Sequence, residues 1–342
     1  MPKPFVSVII NTVDRPEDLK RCLEAVLGQT YRDFEVVVVN NGTGRETHEL
    51  LTSLKAHSSK LGTRFKVIEN QTKRLSYLFN LGWKNADPKA EIFAYCADDT
   101  EPDKIWLETI VGYLSEHPEA GAVSGPTLSM IEPAGEMFAL HDLMKKNILT
   151  RAFLRGYEYF VMEDKTFEPG HWPESGAFTM GAGIPLPHIK EPIEIDLLTS
   201  GNMGVRRSVM EEIGGFDERF LFNHADGDLF IRIKKAGHKL VFHPQVKVKH
   251  HMRFGPTRYP QIMGRDTALY YLKDVRPKSL RGWIGAFLNL AVFNVYWIFK
   301  SFQQKNPKQL LGIGGFLWGI AEHFVRYAFR YSDFRRPPQL RS

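Results

Sequence analysis

The chain has 342 residues, of which 43% are hydrophobic and 25% are charged, and its formal net charge is +6. These values are ordinary for a globular protein with one large domain or two smaller ones. The charge excess is too small to indicate nucleic-acid binding, so we expect no nucleic-acid partner. Cys22 and Cys96 show neither metal-ligand spacing nor a disulfide framework, which indicates a reducing cytoplasm. The N-terminus shows no apolar signal region.

Short apolar runs alternate with helical patterns in the first third of the chain. The β-branched run at residues 6–10 predicts a strand, and Pro16 with the acids after it predicts the start of a helix. Further strands are predicted at residues 36–39, 65–68 and 91–97, and further helices near residues 45–57, 75–85 and 104–115. Because each strand is almost continuously apolar, this order favours an α/β fold with a mostly parallel sheet flanked by helices.

The rest of the chain is less regular at first. Residues 127–198 are rich in Pro, Gly and aromatic residues with weak periodicity, and we interpret them as an insertion that carries acceptor contacts. Helices are predicted at residues 207–213 and 228–236, the second of them ended by a glycine. Strand-like sequence then covers residues 239–249 and is broken at Pro244.

Polar loops follow the first, second and fourth predicted strands, at the sheet edge where ligands bind in such folds. The loop after the fourth strand carries Asp98, Asp99 and Glu101. A cluster of carboxylates is costly unless a cation neutralises it, and hard oxygen ligands suit Mg²⁺ or Mn²⁺. These metals usually bridge to phosphates, so the cluster indicates a metal that holds a diphosphate. A solvated acidic turn is the alternative.

A second acidic pair, Asp226 and Asp228, stands before a predicted helix and either residue could cap it. Asp226 is the better candidate for a buried general base, because Gly227 allows a close approach of the backbone. His250 and His251 end a predicted strand. Neutral imidazole suits Mn²⁺, and two adjacent side chains of an extended chain point to opposite faces, so each histidine has its own role.

Several segments together carry a family resemblance. They are Val6–Leu19, Gln29–Tyr31, Glu35–Gly42, the Asn-x-Gly motif Asn80–Gly82, the acidic pair Asp98–Asp99, the Gly-Gly-Phe-Asp-Glu motif Gly214–Glu218, and Ala225–Leu229. In these segments the chain resembles an inverting glycosyltransferase of family 2, a family with the GT-A nucleotide-sugar fold. The resemblance covers residues 5–115 and about 198–252, roughly half of the chain.

The resemblance implies roles for named residues. Asp226 would be the base of a single displacement with inversion, and Asp228 and His224 would lie on the acceptor side. Mn²⁺ or Mg²⁺ would bind Asp99, with Glu101 and His250 as further ligands. The donor-binding residues that it implies are Thr12, Asp14, Arg15, Asn40, Asn41, Arg74, Asn80 and Asp98.

The chain departs from the family pattern at three positions. Asn40 replaces the usual Asp that pairs with the nucleotide base, so the donor stays open between a UDP-, dTDP- and GDP-sugar. Ala97 replaces a frequent third acidic residue, and Ala225 replaces the usual Glu before the base. The Gln-x-x-Arg-Trp motif of processive synthases is absent from the sequence, which predicts the transfer of one sugar at a time.

The C-terminal region has an apolar character. Residues 282–299 hold no charged residue and are just long enough for a membrane span, but two Asn residues weaken that interpretation. Residues 316–334 form an amphipathic pattern. Two helices that lie in the membrane interface, a transmembrane hairpin and a soluble helical cap are the alternatives, and we expect peripheral attachment to the cytoplasmic membrane.

The sequence therefore predicts a GT-A domain at residues 1–252 and a helical, membrane-associated region at residues 253–342. The predicted activity is metal-dependent, inverting transfer of a single sugar to a hydroxyl of a glycan or lipid-linked saccharide, in cell-surface polysaccharide or glycoconjugate biosynthesis. A nucleotidyltransferase would need a Gly-rich, Lys-containing loop after the first strand, and residues 11–15 contain neither residue type. A catalytically inactive GT-A scaffold in a membrane assembly is the other alternative. An oligomer is compatible with the sequence.

Overall fold

The computed structural model describes residues 3–60, 64–72, 74–129, 146–179, 186, 188–251 and 259–328. Its strands are β1 (Phe5–Thr12), β2 (Phe34–Asn40), β3 (Arg64–Glu69), β4 (Ala90–Ala97), β5 (Thr100–Pro102), β6 (Ala120–Ser124), β7 (Thr127–Ser129), β8 (Ile193–Ile195), β9 (Asn202–Arg206), β10 (Lys239–Phe242) and β11 (Val248–His250). Its helices are α1 (Pro16–Leu27), α2 (Arg45–Lys60), α3 (Leu75–Lys84), α4 (Trp106–Glu116), α5 (Ile148–Phe160), α6 (Arg207–Ile213), α7 (Ala225–Lys235), α8 (Pro260–Lys273), α9 (Leu280–Gln303) and α10 (Leu311–Ala328). A short 3₁₀ helix, Pro307–Leu310, precedes α10.

The central sheet has eight strands in the order β3-β2-β1-β4-β9-β6-β10-β8. The neighbours β3, β2, β1 and β4 are parallel, as the apolar runs predict. Strand β9 returns antiparallel between β4 and β6, and β8 is antiparallel to β10. The sheet is therefore mostly parallel, and its carboxyl-terminal edge gathers the ends of β1, β2 and β4.

Alternate side chains of the buried strands build two separate cores. Val8 and Ile10 of β1 pack with α1 and α4 on one face of the sheet, whereas Ile9 packs with residues of α6 and α7 on the other. Burial on both faces explains why β1, β2 and β4 read as continuous apolar runs. The predicted elements of the first 115 residues are confirmed, with ends that differ by a few residues.

Helix α7 differs from its prediction. It begins at Ala225 and not at residue 228, because His224 adopts a left-handed backbone (φ 58°) and forms the N-cap without a side-chain hydrogen bond. The expectation that Asp226 or Asp228 precedes and caps the helix is therefore wrong. Both carboxylates lie in the first turn, where the helix dipole favours negative charge.

A smaller sheet, in the order β5-β11-β7, stands beside the end of β4. Strand β11 is antiparallel to β5, and its register sets His250 opposite Thr100. The break of the predicted strand near Pro244 is confirmed, since β10 and β11 belong to different sheets. This change of sheet carries the two histidines to the acidic cluster.

The predicted insertion contains β7, α5 and β8, while residues 130–145, 180–185 and 187 lie outside the described part of the chain. Helix α10 covers the first part of the predicted amphipathic pattern at residues 316–334. Residues 329–334 of that pattern lie outside the described part of the chain. Helix α9 is continuous over 24 residues. Among the described residues, α9 is the helix that is long and apolar enough to cross a membrane, by length and composition alone. Little of this helix is buried.

The division of the chain at residue 252 stays a prediction. Asp266 of α8 accepts hydrogen bonds from the backbone N–H groups of residues 221–223, which precede α7. Within the C-terminal region, Trp297 of α9 is fully buried against Gly312, where a Cβ atom would meet the indole ring. The C-terminal helices are thus packed onto each other, and α8 is joined to the chain segment that leads into α7.

Candidate active site

The carboxylates of Asp98 and Asp99 lie at the carboxyl end of β4 and share one cation. Arg15 Nη1 lies 3.4 Å from Asp98 Oδ1 and 3.0 Å from Asp99 Oδ2. Thr12 Oγ1 donates a hydrogen bond of 2.8 Å to Asp98 Oδ2. Burial raises the pKa of Asp98 to about 6, although the Arg15 guanidinium lowers it. The ion pairs of Arg15 and the hydrogen bond of Thr12 thus connect the end of β1 to the end of β4.

Asp99 also contacts His250, whose Nε2 lies 3.2 Å from Asp99 Oδ1. Burial by itself raises the pKa of Asp99, but His250 and Arg15 outweigh burial and hold that pKa below its usual value. A carboxylate oxygen and an imidazole nitrogen are suitable donors for Mn²⁺. Asp99 and His250 are therefore a pair whose donor atoms suit a metal ion.

Glu101, the third predicted metal ligand, takes a different partner. Its Oε1 lies 2.6 Å from His251 Nε2 and 3.6 Å from Arg21 Nε. Across the ranges that the structure describes, no group of three or more His, Cys, Asp or Glu side chains is placed to hold a metal ion. The structure thus brings together Asp99 and His250 and leaves Glu101 apart from them.

The loops after β1 and β2 are locked to each other by predicted donor-binding residues. Asp14 has a left-handed backbone (φ 47°), and its Oδ1 accepts a hydrogen bond of 2.6 Å from the N–H of Gly44. Asn40 Oδ1 accepts from the N–H of Gly42, and the N–H of Asn41 donates to the Thr12 carbonyl. Thr12, Asp14, Asn40 and Asn41 therefore meet at one edge of the sheet, as predicted.

Two asparagine side chains at this edge have buried polar atoms without a hydrogen-bond partner in the described part of the chain. Both amide atoms of Asn11 and the Oδ1 atom of Asn41 are buried without a hydrogen-bond partner in the described part of the chain. Buried polar atoms are normally paired, so these three atoms are exceptions to that rule at this edge of the sheet. The sequence does not predict the unpaired amide of Asn11, because one asparagine at the end of a strand carries no distinguishing signal.

Arg74 and Asn80 belong to a different contact. Asn80 Nδ2 donates to the Phe216 carbonyl (2.8 Å) and to Glu218 Oε1 (2.9 Å), and its Oδ1 accepts from the Phe216 N–H. Arg74 Nη2 donates to the Glu218 carbonyl. These bonds tie α3 to the segment before α7. The structure thus places both residues in a supporting position, apart from the loops that end β1 and β2.

Asp226 lies in a cavity of about 320 Å³ together with His224 and Gly227. Ser200 Oγ donates to its Oδ2 over 3.3 Å, and the Gly227 N–H donates to its Oδ1 over 2.9 Å. Burial raises the pKa of Asp226, and these hydrogen bonds oppose that shift. A buried carboxylate with a raised pKa is a suitable general base.

The other two acceptor-side candidates differ in position. His224 stacks on Tyr270 with ring centroids 4.4 Å apart, and burial lowers its pKa to about 3, so its imidazole is neutral. Asp228 is fully buried and forms ion pairs with Lys273 of α8 and Arg232 of α7. His224 therefore faces the cavity, whereas Asp228 supports the start of α7 from inside the fold.

Comparison with known proteins decides the family. Residues 7–171 match the family model of glycosyl transferase family 2. The chain is 26% identical over 260 residues to the O-antigen biosynthesis protein RfbC of Myxococcus xanthus, covering 72% of this chain and 17% of that protein. It is 24% identical over 261 residues to an N-acetylglucosaminyl-diphospho-decaprenol L-rhamnosyltransferase of Mycobacterium tuberculosis, covering 74% of this chain and 78% of that protein. The chain belongs to glycosyltransferase family 2.

The fold of this family 2 glycosyltransferase is also that of a solved GT-A enzyme. The mannosyltransferase PcManGT from Pyrobaculum calidifontis, in complex with GDP-Man and Mn²⁺, has a TM-score of 0.55 and 15% sequence identity. The match covers 93% of this chain and 87% of that one. At this identity the likeness shows the fold alone. The predicted family, enzyme class and GT-A fold are confirmed.

We expect Arg15→Gln to strengthen the binding of Mn²⁺ in the absence of nucleotide by about fivefold or more. Arg15 Nη1 lies 3.0 Å from Asp99 Oδ2, and its positive charge repels a divalent ion from that carboxylate. Electron paramagnetic resonance of free Mn²⁺ measures the dissociation constant. Arg21→Gln, which removes a guanidinium paired with Asp18 and Glu101, is the matched control and should change little. Unchanged or weaker binding by Arg15→Gln would contradict the expectation.

Proposed function

We propose that this glycosyltransferase moves a single sugar, with inversion, from a nucleoside-diphosphate sugar to a hydroxyl of a glycan or lipid-linked saccharide. The acceptor belongs to the biosynthesis of a cell-surface polysaccharide or glycoconjugate. The observation that carries the proposal is the buried carboxylate of Asp226, held by Ser200 and Gly227 in a cavity. Such a group serves as a base, and a single displacement needs one base and one leaving group.

The proposed reaction is one displacement. The acceptor oxygen forms a bond to the anomeric carbon while the bond from that carbon to the diphosphate oxygen breaks. The hydroxyl proton passes to an oxygen of Asp226, and the nucleoside diphosphate leaves with the bonding electrons. Because the burial of Asp226 raises its pKa, the carboxylate accepts this proton more readily than an exposed aspartate does. Positioning of donor and acceptor supplies much of the remaining rate enhancement.

Asp99 and His250 would hold Mn²⁺ or Mg²⁺. A divalent ion stabilises the negative charge that develops on a departing diphosphate. The support is the oxygen and nitrogen donor pair in this chain and the Mn²⁺ in the complex of the Pyrobaculum enzyme. Glu101 is a weaker candidate ligand, because its carboxylate already contacts His251 and Arg21.

Thr12, Asp14, Asn40 and Asn41 would line the nucleotide, and Asp98 and Arg15 would face its ribose and diphosphate. Asn40 both accepts from Gly42 and donates to Glu69, so its amide is already oriented by the protein. A UDP-, dTDP- or GDP-sugar is compatible with this edge. The named neighbours include a GDP-mannose complex and a rhamnosyltransferase, which leaves the donor open.

The C-terminal helices would attach the enzyme to the cytoplasmic face of a membrane. On α9, Leu280, Trp283 and Phe287 are 78%, 63% and 74% exposed. These positions follow helical spacing, so they form one apolar face. Basic residues at both ends of the helix, Arg281 and Lys300, suit an anionic lipid surface. We favour helices that lie in the interface over a transmembrane hairpin.

The catalytic assignment predicts that Asp226→Asn lowers sugar transfer by about 10²- to 10⁴-fold and keeps donor binding, since only the base is lost. Asp99→Ala should lose Mn²⁺-dependent donor binding as well. Nucleotide release and transfer are measured with Mn²⁺ and a panel of UDP-, dTDP- and GDP-sugars, and donor binding is measured by calorimetry. Asp33→Asn, on an exposed carboxylate, is the control.

Normal turnover by Asp226→Asn or Asp99→Ala would overturn this mechanism. A wild-type protein that binds, hydrolyses and transfers no donor of the panel would instead support the inactive scaffold.

The pH profile tests Ser200. Its hydroxyl lowers the pKa of Asp226, so Ser200→Ala should raise that pKa further. The base acts when it is deprotonated, above its pKa, and therefore the acid limb of the kcat/KM profile should move to higher pH. Ser53→Ala, on the exposed face of α2, should leave the limb in place. A limb that stays or moves to lower pH in Ser200→Ala argues against Asp226 as the base.

Membrane attachment predicts that the double variant Trp283→Ser with Phe287→Ser binds anionic phosphatidylglycerol vesicles at least about tenfold more weakly. Vesicle co-sedimentation measures this, with Phe222→Ser as a control that changes an exposed aromatic residue near α7. Alkaline carbonate should release the wild type from vesicles. Retention after carbonate would favour a transmembrane hairpin, and equal binding by the variant would exclude α9 as the attachment site.

A further inference from the structure

Phe178 is a large apolar side chain that lies in the wall of the Asp226 cavity. Its exposed fraction is 37%, whereas the nearby phenylalanines Phe220 and Phe230 are fully buried. A single exposed apolar residue on a protein surface needs no explanation. An aromatic ring in the cavity of the proposed base does need an explanation, because the ring determines which ligands that cavity can bind.

The loop at residues 171–179 holds Phe178 rigidly. The N–H and the carbonyl of His171 both bond to the Thr179 hydroxyl, which closes the loop across Phe178. Ser175 Oγ donates to the Val161 carbonyl over 2.6 Å, and Tyr271 of α8 donates to the Ser175 carbonyl over 3.0 Å. The ring is therefore presented by a fixed backbone, as a binding surface requires.

One side of the ring is packed and defines its orientation. Its centroid lies 5.5 Å from that of His224, with an angle of 25° between the rings, and 5.5 Å from that of Tyr270. Since the imidazole of His224 is neutral, this stack adds no charge to the cavity. The aromatic group is held by other aromatic groups and remains partly exposed.

Gly227 allows the ring to lie beside the base. A Cβ atom at this position would be 3.2 Å from both Cε1 and Cζ of Phe178, closer than ordinary contact. Gly227 directly follows Asp226 in the first turn of α7. A glycine at this point therefore lets the ring of Phe178, which belongs to the loop at residues 171–179, lie against the helix next to the carboxylate.

The rest of the cavity wall is uncharged. Apart from Asp226, Phe178, His224 and Gly227, the described lining residues are Gly170, Leu197, Leu198, Thr179, Thr199 and Asn223. Apolar walls with a few hydroxyl and amide groups suit a neutral ligand that has both an apolar face and hydroxyl groups. A pyranose ring has both, because its C–H bonds group on the ring faces and its hydroxyls project from the rim.

We propose that Phe178 is the platform on which the neutral pyranose ring of the acceptor stacks, with the attacking hydroxyl directed to Asp226. This assignment rests on the proposed function of Asp226 as the base. It makes Phe178 a specificity-determining residue for the acceptor, and it makes the acceptor group an uncharged sugar ring rather than a phosphate or an amino-acid hydroxyl.

Binding of simple sugars tests the platform. The probes are the methyl pyranosides of glucose, galactose, mannose and N-acetylglucosamine, observed by saturation-transfer NMR with Mg²⁺ and nucleoside diphosphate present. Sorbitol, which has the hydroxyls without a ring face, is the reference compound. We expect at least one pyranoside to bind better than sorbitol, Phe178→Ala to weaken it about tenfold or more, and Phe178→Tyr to keep it within about twofold.

Three further variants complete the design. Phe222→Ala, which removes an aromatic residue of similar exposure outside the cavity, should bind like the wild type. Gly227→Ala should weaken binding while Phe178 is still present, because the added methyl group displaces the ring. Ser53→Ala, on the exposed face of α2, should also bind the pyranosides like the wild type. Thermal unfolding confirms that each variant is folded.

Pyranosides that bind no better than sorbitol, or equally well to Phe178→Ala, would overturn the platform. Nucleotide release from donors without acceptor reports on the proposed function separately and should be unchanged in Phe178→Ala. Pyranoside binding that depends on Phe178 in a protein that turns over no donor would uphold the platform and count against the proposed function.

Discussion

Negative charge at the end of β4 is the constraint around which this site is built. Asp98, Asp99 and Glu101 follow one strand within four positions, and partly buried carboxylates at that spacing repel each other unless cations are near. These carboxylates are contacted by Arg15 from the loop after β1, by His250 at the end of β11 and by His251 directly after it. The register of β11 against β5 places both histidines beside the acidic cluster, so the topology of the small sheet determines the contacts of these carboxylates.

Near the proposed acceptor site, residues of the C-terminal region pair with buried carboxylates. Asp217 and Asp228 are ion-paired to Lys273 of α8, and Asp228 also pairs with Arg232. Breaking one partner of a buried ion pair typically costs about 3–5 kcal/mol. The first turn of α7, which carries Asp226, thus depends on a helix that the sequence-based division assigns to a separate region. The two parts of the chain therefore share one charge network.

The sequence predicted those structural features that depend on the pattern of neighbouring residues. Strands β1, β2 and β4 were predictable because burial on both faces makes them continuously apolar, and the opposite orientations of His250 and His251 follow from an extended backbone. The start of α7 was not predictable from the sequence, because His224 forms the N-cap with a left-handed backbone and without a side-chain hydrogen bond. The partner of Glu101 depends on the register of β11 against β5, and the position of Phe178 depends on contacts with residues far away in the chain. Both features depend on contacts between residues far apart in the chain, and a single sequence does not reveal such contacts.

One loop connects the proposed acceptor site to the proposed membrane surface. Glu174 accepts hydrogen bonds from the N–H groups of Lys278 and Ser279, at the start of α9, and lies four residues before Phe178. Tyr271, which donates to Ser175 of the same loop, also accepts a hydrogen bond from Asn289 of α9. The helix that would contact lipid is therefore fixed relative to the ring that would contact the acceptor sugar. A rigid link of this kind suits an acceptor held at the membrane by its own lipid, because both ends of such a molecule must be positioned at once. This geometry favours a lipid-linked saccharide over a free glycan.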